Sequence, residues 1–262
     1  MRVHVVSDVH GNVDALARAA DGADAVFVLG DLVDFVDYAN PSAGILGRVL
    51  GEDVSREFGR VRRSGGPGEL AAYAKIAWGR IPDPAAVIGE AVDEQYAKLF
   101  AVLPENTWAI PGNVDLPERW AAHLRPGIRV PDGEVVEIAG LRVGFVGGVP
   151  LPHGFPPRNG GPWRPHMVVA EEYTAAVEKL SDVDLLCTHA PPEVPPLHYD
   201  VVTQRRELPG LGLRALIERE RPRAALFGHV HQPLAARARV GRTECVNVGH
   251  FRRTGLPYVL RW

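Results

Sequence analysis

The chain has 262 residues, 46% of them hydrophobic and 23% charged, with a formal net charge of −3. That length buries a large core without disulfide or metal staples, and the composition excludes a disordered chain or a disulfide-rich secreted scaffold. The acidic balance leaves no global positive field to hold nucleic acid.

The apolar run at residues 3–6 is too short for a leader, and no stretch reaches the ~18 apolar residues of a membrane span. A cytoplasmic protein is expected, with neither membrane nor nucleic acid as partner. Cys187 and Cys245 sit in apolar runs and read as buried thiols.

Residues 3–6 predict a buried strand ending at Ser7-Asp8. Residues 12–20 predict a helix with Val13, Leu16, Ala17 and Ala20 on one side. Residues 25–29 predict a second strand, stopping at Gly30-Asp31. Strand, polar tip, helix, strand, polar tip is the order of an α/β fold with functional residues at strand carboxyl ends.

Residues 40–68 are rich in Gly, Pro, Ser and Arg and carry no assignable pattern. From 69 to 103 the pattern is helical, split into two helices by Pro82 and Pro84. A strand at 107–110 follows. Residues ~40–105 therefore read as a mostly helical insertion within a single domain spanning 1–262, serving as a cap or as a homodimer surface.

A short helix is expected near 116–124. Strands at 134–138 and 141–146 are joined by the turn Ala139-Gly140. A long loop runs from 147 to 165, then a helix over 168–180 and a strand over 183–187. A Pro-rich loop, a helix over 210–220 and a strand over 224–227 complete this half. Runs at 234–240, 243–248 and 256–262 predict an antiparallel meander.

Five clusters share one grammar, a short apolar strand followed by Gly, Asp, Asn or His. They are Ser7-Asp8-Val9-His10-Gly11-Asn12, Gly30-Asp31-Leu32-Val33-Asp34, Gly112-Asn113-Val114-Asp115, Thr188-His189-Ala190-Pro191-Pro192 and Gly228-His229-Val230-His231. Repeated strand-end placement gathers these side chains at one sheet edge. Asp and Asn supply hard oxygen donors and His supplies nitrogen, a sulfur-free set that suits Mn²⁺, Fe, Zn²⁺, Ni²⁺ or Co²⁺ rather than Ca²⁺. Asp8, His10, Asp31, Asn113, His189, His229 and His231 exceed what one tetrahedral ion takes and suit two ions sharing a carboxylate.

In this order the blocks D-x-H, G-D-x-x-D, G-N-x-D, T-H-x-P and G-H-x-H resemble the calcineurin-like metallophosphoesterase superfamily, over residues 7–231. The resemblance implies a four-layer α/β/β/α sandwich. It implies that Asp8, His10, Asp31 and His231 hold one divalent metal ion, with Mn²⁺ the first choice, and that Asp31, Asn113, His189 and His229 hold a second. Asp31 would bridge them, and a hydroxide shared by the ions would attack phosphorus.

One position departs from the pattern. Many members have His where this chain has Val114, and use it to protonate the leaving group or bind phosphate. A branch associated with phosphodiesterase activity also lacks this His. The expected substrate is a small phosphodiester with a good leaving group. The alternatives are a phosphomonoesterase acting on nucleotides or small phosphate esters and, from another class, a non-catalytic metal-binding scaffold.

Asp31, Asn113 and His250 are the candidate catalytic groups, His250 as a substitute phosphate ligand or acid. Asp34 and Asp115 read as acceptors that orient ligands or cap backbone groups. Asn12 reads as a helix cap or a phosphate contact. His153, Arg158 and Arg164, with His166, are the substrate-recognition candidates on the long loop. His4 reads as structural, and Trp78, Trp108, Trp120 and Trp163 read as packing residues, Trp163 being the one candidate for a stacking platform.

Overall fold

The computed structural model describes residues 1–64, 66–153, 162–163 and 166–262. Arg158 and Arg164 lie outside the described residues. The strands that matter here are β1 (Arg2–Val6), β2 (Ala25–Leu29), β3 (Thr107–Ile110), β4 (Ile128–Arg129), β5 (Val135–Ile138), β6 (Leu141–Val146), β7 (Leu185–Thr188), β8 (Ala224–Phe227), β9 (Arg237–Val240), β10 (Thr243–Asn247) and β11 (Tyr258–Arg261). The first sheet has the order β11-β1-β2-β3-β4 and the second β9-β10-β8-β7-β6-β5.

β1 to β4 are mutually parallel, and so are β6, β7, β8 and β10. Their short apolar runs are buried on both faces, as parallel strands require. In β1, Val3 and Val5 face the second sheet while Val6 faces the helices. Phe27 sits where the sheets meet, edge-on to Trp108 and Phe145 with centroids 5.7 and 5.4 Å away. Such a contact adds about 1 kcal/mol beyond its buried area.

The helices are α1 (Val13–Ala19), α2 (Gly44–Leu50), α3 (Glu52–Ser64), α4 (Pro67–Trp78), α5 (Pro84–Val102), α6 (Ala170–Glu178), α7 (Leu213–Glu220) and α8 (Phe251–Thr254). α1 and α5 cover the outer face of the first sheet, α5 through Ile88, Val92, Tyr96, Leu99 and Phe100. α6 and α7 cover the second sheet through Tyr173, Val177, Leu213, Leu216 and Ile217. The result is the expected α/β/β/α layering.

Local signals explain several boundaries. Asp83 caps α5, accepting from Ala86 N at 3.0 Å, and Pro84 opens it. Ala139 and Gly140 have φ of 48° and 79°, the positive pair that a two-residue hairpin between β5 and β6 needs.

One unassigned stretch gains its elements, and one expectation is corrected. Residues 40–68 are largely helical: α2 and α3 occupy them. α3 buries Ser55, Gly59 and Val61 and is otherwise charged, so its core-facing stripe is too small to read as a helix. The carboxyl-terminal runs are not one meander. β9 pairs antiparallel with β10, but β10 also lies parallel to β8, and β11 crosses to pair antiparallel with β1 in the other sheet. α8 and the left-handed Gly255, φ 62°, redirect the chain there.

Candidate metal centre

Because both sheets have parallel central strands, their carboxyl ends deliver side chains to one edge. β1 ends at Asp8 and His10, β2 at Asp31, β3 at Asn113, β7 at His189 and β8 at His229 and His231. The backbone there is strained. Asp8, His10, Asp31 and His229 have φ of 57°, 41°, 55° and 67°. Left-handed non-glycine residues are uncommon, and their concentration at three strand ends marks a functional edge.

Close packing explains the glycines of two motifs. A Cβ on Gly112 would lie 2.2 Å from Asp31 Oδ1, and one on Gly228 would lie 1.9 Å from Ser7 Oγ and 2.5 Å from Asp8 Oδ2. The loops interlock through these positions.

One donor group comprises Asp8, His10, Asp31 and His231, whose ligand atoms all lie within 4.8 Å of one another. His10 Nε2 stands 3.1 Å from His231 Nε2 and 3.9 Å from Asp31 Oδ2. His231 Nε2 stands 3.3 Å from Asp8 Oδ1. The second group lies on the other side of Asp31. His189 Nε2 is 3.5 Å from Asp31 Oδ1 and 3.1 Å from Asn113 Oδ1, and the His189 and His229 rings are 5.2 Å apart. Asp31 thus turns one oxygen to each group.

The donors fit divalent cations. His229 Nε2 is buried with no hydrogen-bond partner among the described residues, and buried Asp8 Oδ1 has His231 Nε2 3.3 Å away. Two imidazole nitrogens facing each other at 3.1 Å cannot both carry lone pairs without a proton or a cation between them. The far ring nitrogens are anchored: His189 Nδ1 lies 2.7 Å from Leu29 O and His10 Nδ1 3.1 Å from Val33 O, fixing which nitrogen faces inward.

Burial, aided by His231, lowers the His10 imidazole to about 3, and burial, aided by His189, lowers His229 to about 3. Both are neutral donors at ordinary pH. Burial pushes the Asp31 carboxyl up to about 6. Burial alone would raise Asp8, but His231, His189 and His10 together hold it well below the carboxylate range. Burial alone would lower His231, and the Asp8 carboxylate outweighs it, so His231 is raised.

Asp115 is fully buried beneath the centre. Its carboxylate accepts from Leu32 N at 3.0 Å, Val33 N at 3.3 Å, Tyr96 Oη at 3.3 Å and Gly112 N at 2.8 Å. It ties the Asp31 loop to the Asn113 loop. Val114 N donates to Asp31 Oδ1 at 2.9 Å, so this position serves the centre through its backbone.

Asp34 pairs with Arg252 at 2.7 Å and accepts at its backbone carbonyl from Gln95 at 3.1 Å. Arg252 escaped the sequence reading because it lies past the last motif. It also donates to His10 O at 2.9 Å and pairs with Asp37.

Asn12 has both ends of its amide engaged. Oδ1 caps α1 at Ala15 N, 3.1 Å, and Nδ2 donates to Arg252 O at 3.1 Å. This is the helix cap that the sequence suggests, and one Nδ2 hydrogen stays uncommitted. His153 is exposed, 3.5 Å from Glu171. His166 binds the Asn113 loop through its backbone, donating to Asn113 O at 2.8 Å.

Trp163 stacks on Phe35 with centroids 4.0 Å apart, a packing contact of the kind expected for the tryptophans. His4 is structural, its Nδ1 2.7 Å from Ala19 O. Cys187 and Cys245 are buried and free.

His250 follows β10 and stacks on His231, centroids 3.9 Å apart and planes 16° apart. Its two ring nitrogens are buried without partners among the described residues. The ligand atoms of His10, His231 and His250 also lie within 4.8 Å of one another, so His250 adjoins the first donor group.

The layered fold and this edge of Asp, Asn and His donors define a metal-dependent phosphoesterase class. The family model for calcineurin-like phosphoesterases matches residues 1–233, and the chain belongs to that family. Among solved structures, TT1561 of Thermus thermophilus is 17% identical, with a TM-score of 0.54, 99% of this chain and 98% of that chain covered. That likeness shows the fold. A predicted phosphoesterase of Streptococcus pneumoniae is 12% identical, with a TM-score of 0.33, covering 95% of this chain and 71% of the other. No curated protein sequence matches. No helix among the described residues is long and apolar enough to cross a membrane.

Proposed function

We propose that this chain is a two-metal phosphodiesterase acting on a small substrate. The observation that carries the reading is Asp31, whose Oδ2 faces His10 at 3.9 Å and whose Oδ1 faces His189 at 3.5 Å. A carboxylate shared between two donor groups is what a pair of cations requires. Asp8, His10, Asp31 and His231 would hold one ion, and Asp31, Asn113, His189 and His229 the other, with Mn²⁺ the first choice. When bound, such ions supply charge neutralisation on phosphoryl oxygens and a water of lowered pKa.

The chain's own residues set the rest. Asp115 and Arg252 hold the ligand loops in register. His250, beside His231 with free ring nitrogens, is placed to hydrogen-bond a phosphoryl oxygen. Val114 offers no proton to a leaving group. Weakly basic leaving groups are therefore favoured, and a monoester with a basic alkoxide is not.

The test measures Mn²⁺-dependent turnover of an aryl phosphodiester beside the corresponding aryl monoester. The diester should have the higher kcat/KM. Equal or faster monoester turnover would replace this reading with a monoesterase.

A further inference from the structure

The chain is acidic overall, with a net charge of −3, yet four arginines gather beside the centre. Arg62 and Arg63 lie in the last turn of α3, and Arg205 and Arg206 form one arm of a hairpin with Tyr199–Asp200. All four are exposed. The Arg205 guanidinium donates to Arg62 O at 3.4 Å and to Arg63 O at 2.9 Å, fastening the hairpin to the helix.

Each element is also tied to a loop that leaves the centre. Asp200 accepts from Gln232 N at 3.1 Å, directly after His231, and Val201 N donates to Gln232 O at 2.9 Å. On the opposite side the Arg62 guanidinium lies 5.7 Å from the Tyr38 ring centroid. Tyr38 follows Asp37, which pairs with Arg252 on the loop after Asp31. The end of α3 therefore runs from the Asp31 loop to the His231 loop.

A bland reading is that Arg62 and Arg63 complement the helix dipole. It covers Arg205 in part, whose guanidinium meets the last carbonyls of α3, and leaves Arg206 unexplained. The ion pairs of α3 are made by Arg56 and Arg60 with Glu52 and Glu57, while Arg62 and Arg63 make none among the described residues. Glu207, next in sequence to Arg206, does not balance four cations.

We propose that this arginine rim binds a second phosphate of the substrate, carried on the arm of the phosphodiester that is not cleaved off. The proposal rests on the phosphodiesterase reading for its first phosphate. Guanidinium groups grip phosphate oxygens in pairs, and a basic rim raises the local concentration of a polyanion.

The test uses the Mn²⁺-loaded protein and two probes, a nitrophenyl propyl phosphodiester and the same diester with a phosphate on the far end of the propyl arm. Non-hydrolysable phosphonate analogues of both are titrated calorimetrically. The phosphate-bearing probe should have the lower KM and its analogue the tighter binding. Both advantages should shrink as salt rises from about 50 to about 300 mM.

Arg62→Ala with Arg63→Ala should cut that advantage about fivefold or more, and Arg62→Lys by less. Equal KM and equal affinity for the two forms would overturn the proposal. So would a double variant that weakens both forms alike. Absence of turnover with either probe would overturn the phosphodiesterase reading instead, and the calorimetric comparison would still decide the role of the rim.

Discussion

The Arg252 guanidinium donates to the backbone carbonyl of His10 at 2.9 Å while pairing with Asp34 at 2.7 Å and with Asp37. His10 holds a left-handed backbone, φ 41°, which costs energy unless neighbours fix it. Arg252 is that fixture, joining the loops after β1 and β2 to α8. Arg252→Ala should weaken Mn²⁺ binding by about tenfold or more, the scale seen when a group that orients a ligand is lost. Arg252→Lys should recover part of it, since an ammonium cannot fork to three acceptors in the same geometry. Titration calorimetry of the metal measures both, and unchanged affinity in Arg252→Ala would remove the role.

Asp31 is the next test. Its two oxygens face different donor groups, so Asp31→Asn removes the shared negative charge without removing bulk. Bound metal should fall below two ions per chain, and turnover of an aryl diester should drop by about a hundredfold or more, the scale of losing one key electrostatic group. Elemental analysis of the purified variant reads the first effect directly. Full metal content with full turnover would contradict the shared-carboxylate arrangement.

The edge was legible because chemistry and topology coincide there. Asp and Asn are poor strand residues, so their recurrence after apolar runs, next to Gly30, Gly112 and Gly228, points to strand ends. The structure brings Asp8, His10, Asp31, Asn113, His189, His229 and His231 together. What the sequence withheld has physical reasons. Arg252, Gln95 and Tyr96 act through long-range hydrogen bonds and ion pairs that leave no local pattern. β11 alternates like a hairpin strand, but its partner β1 lies at the other end of the chain. α3 is stabilised by Arg–Glu pairs such as Arg60–Glu57 and buries little apolar surface, so periodicity does not reveal it.

Protons compete with cations at this centre, and the sign is fixed by which groups are raised. Burial lifts Asp31 to about 6, so below that pH it is increasingly protonated and cannot serve two ions. His231 is raised by the Asp8 carboxylate and must also lose its proton to donate. His10 and His229 are lowered by burial to about 3 and stay neutral across this range, so they do not oppose the trend. Mn²⁺ affinity should therefore rise with pH from about 5.5 to about 7.5, with protons released on binding. Calorimetry in buffers of different ionisation heat counts those protons. Affinity that is flat or falls with rising pH would show that Asp31 and His231 are not competing sites.

Asp115 gives the last prediction, because its role separates from metal binding. Its two oxygens accept from Leu32 N, Val33 N, Tyr96 Oη and Gly112 N with no cation needed. Asp115→Asn keeps the shape but turns an amide N–H2 toward one set of donors, leaving at least one buried N–H unsatisfied. That costs about 1–3 kcal/mol. Asp115→Ala strands every donor and should cost more. Both variants should melt at lower temperature than the parent in chelator, where no ion contributes. Both should also bind Mn²⁺ more weakly, because Gly112 N anchors the Asn113 loop. A variant with parental metal-free stability but weakened Mn²⁺ binding would instead make Asp115 a group that acts on the ions themselves.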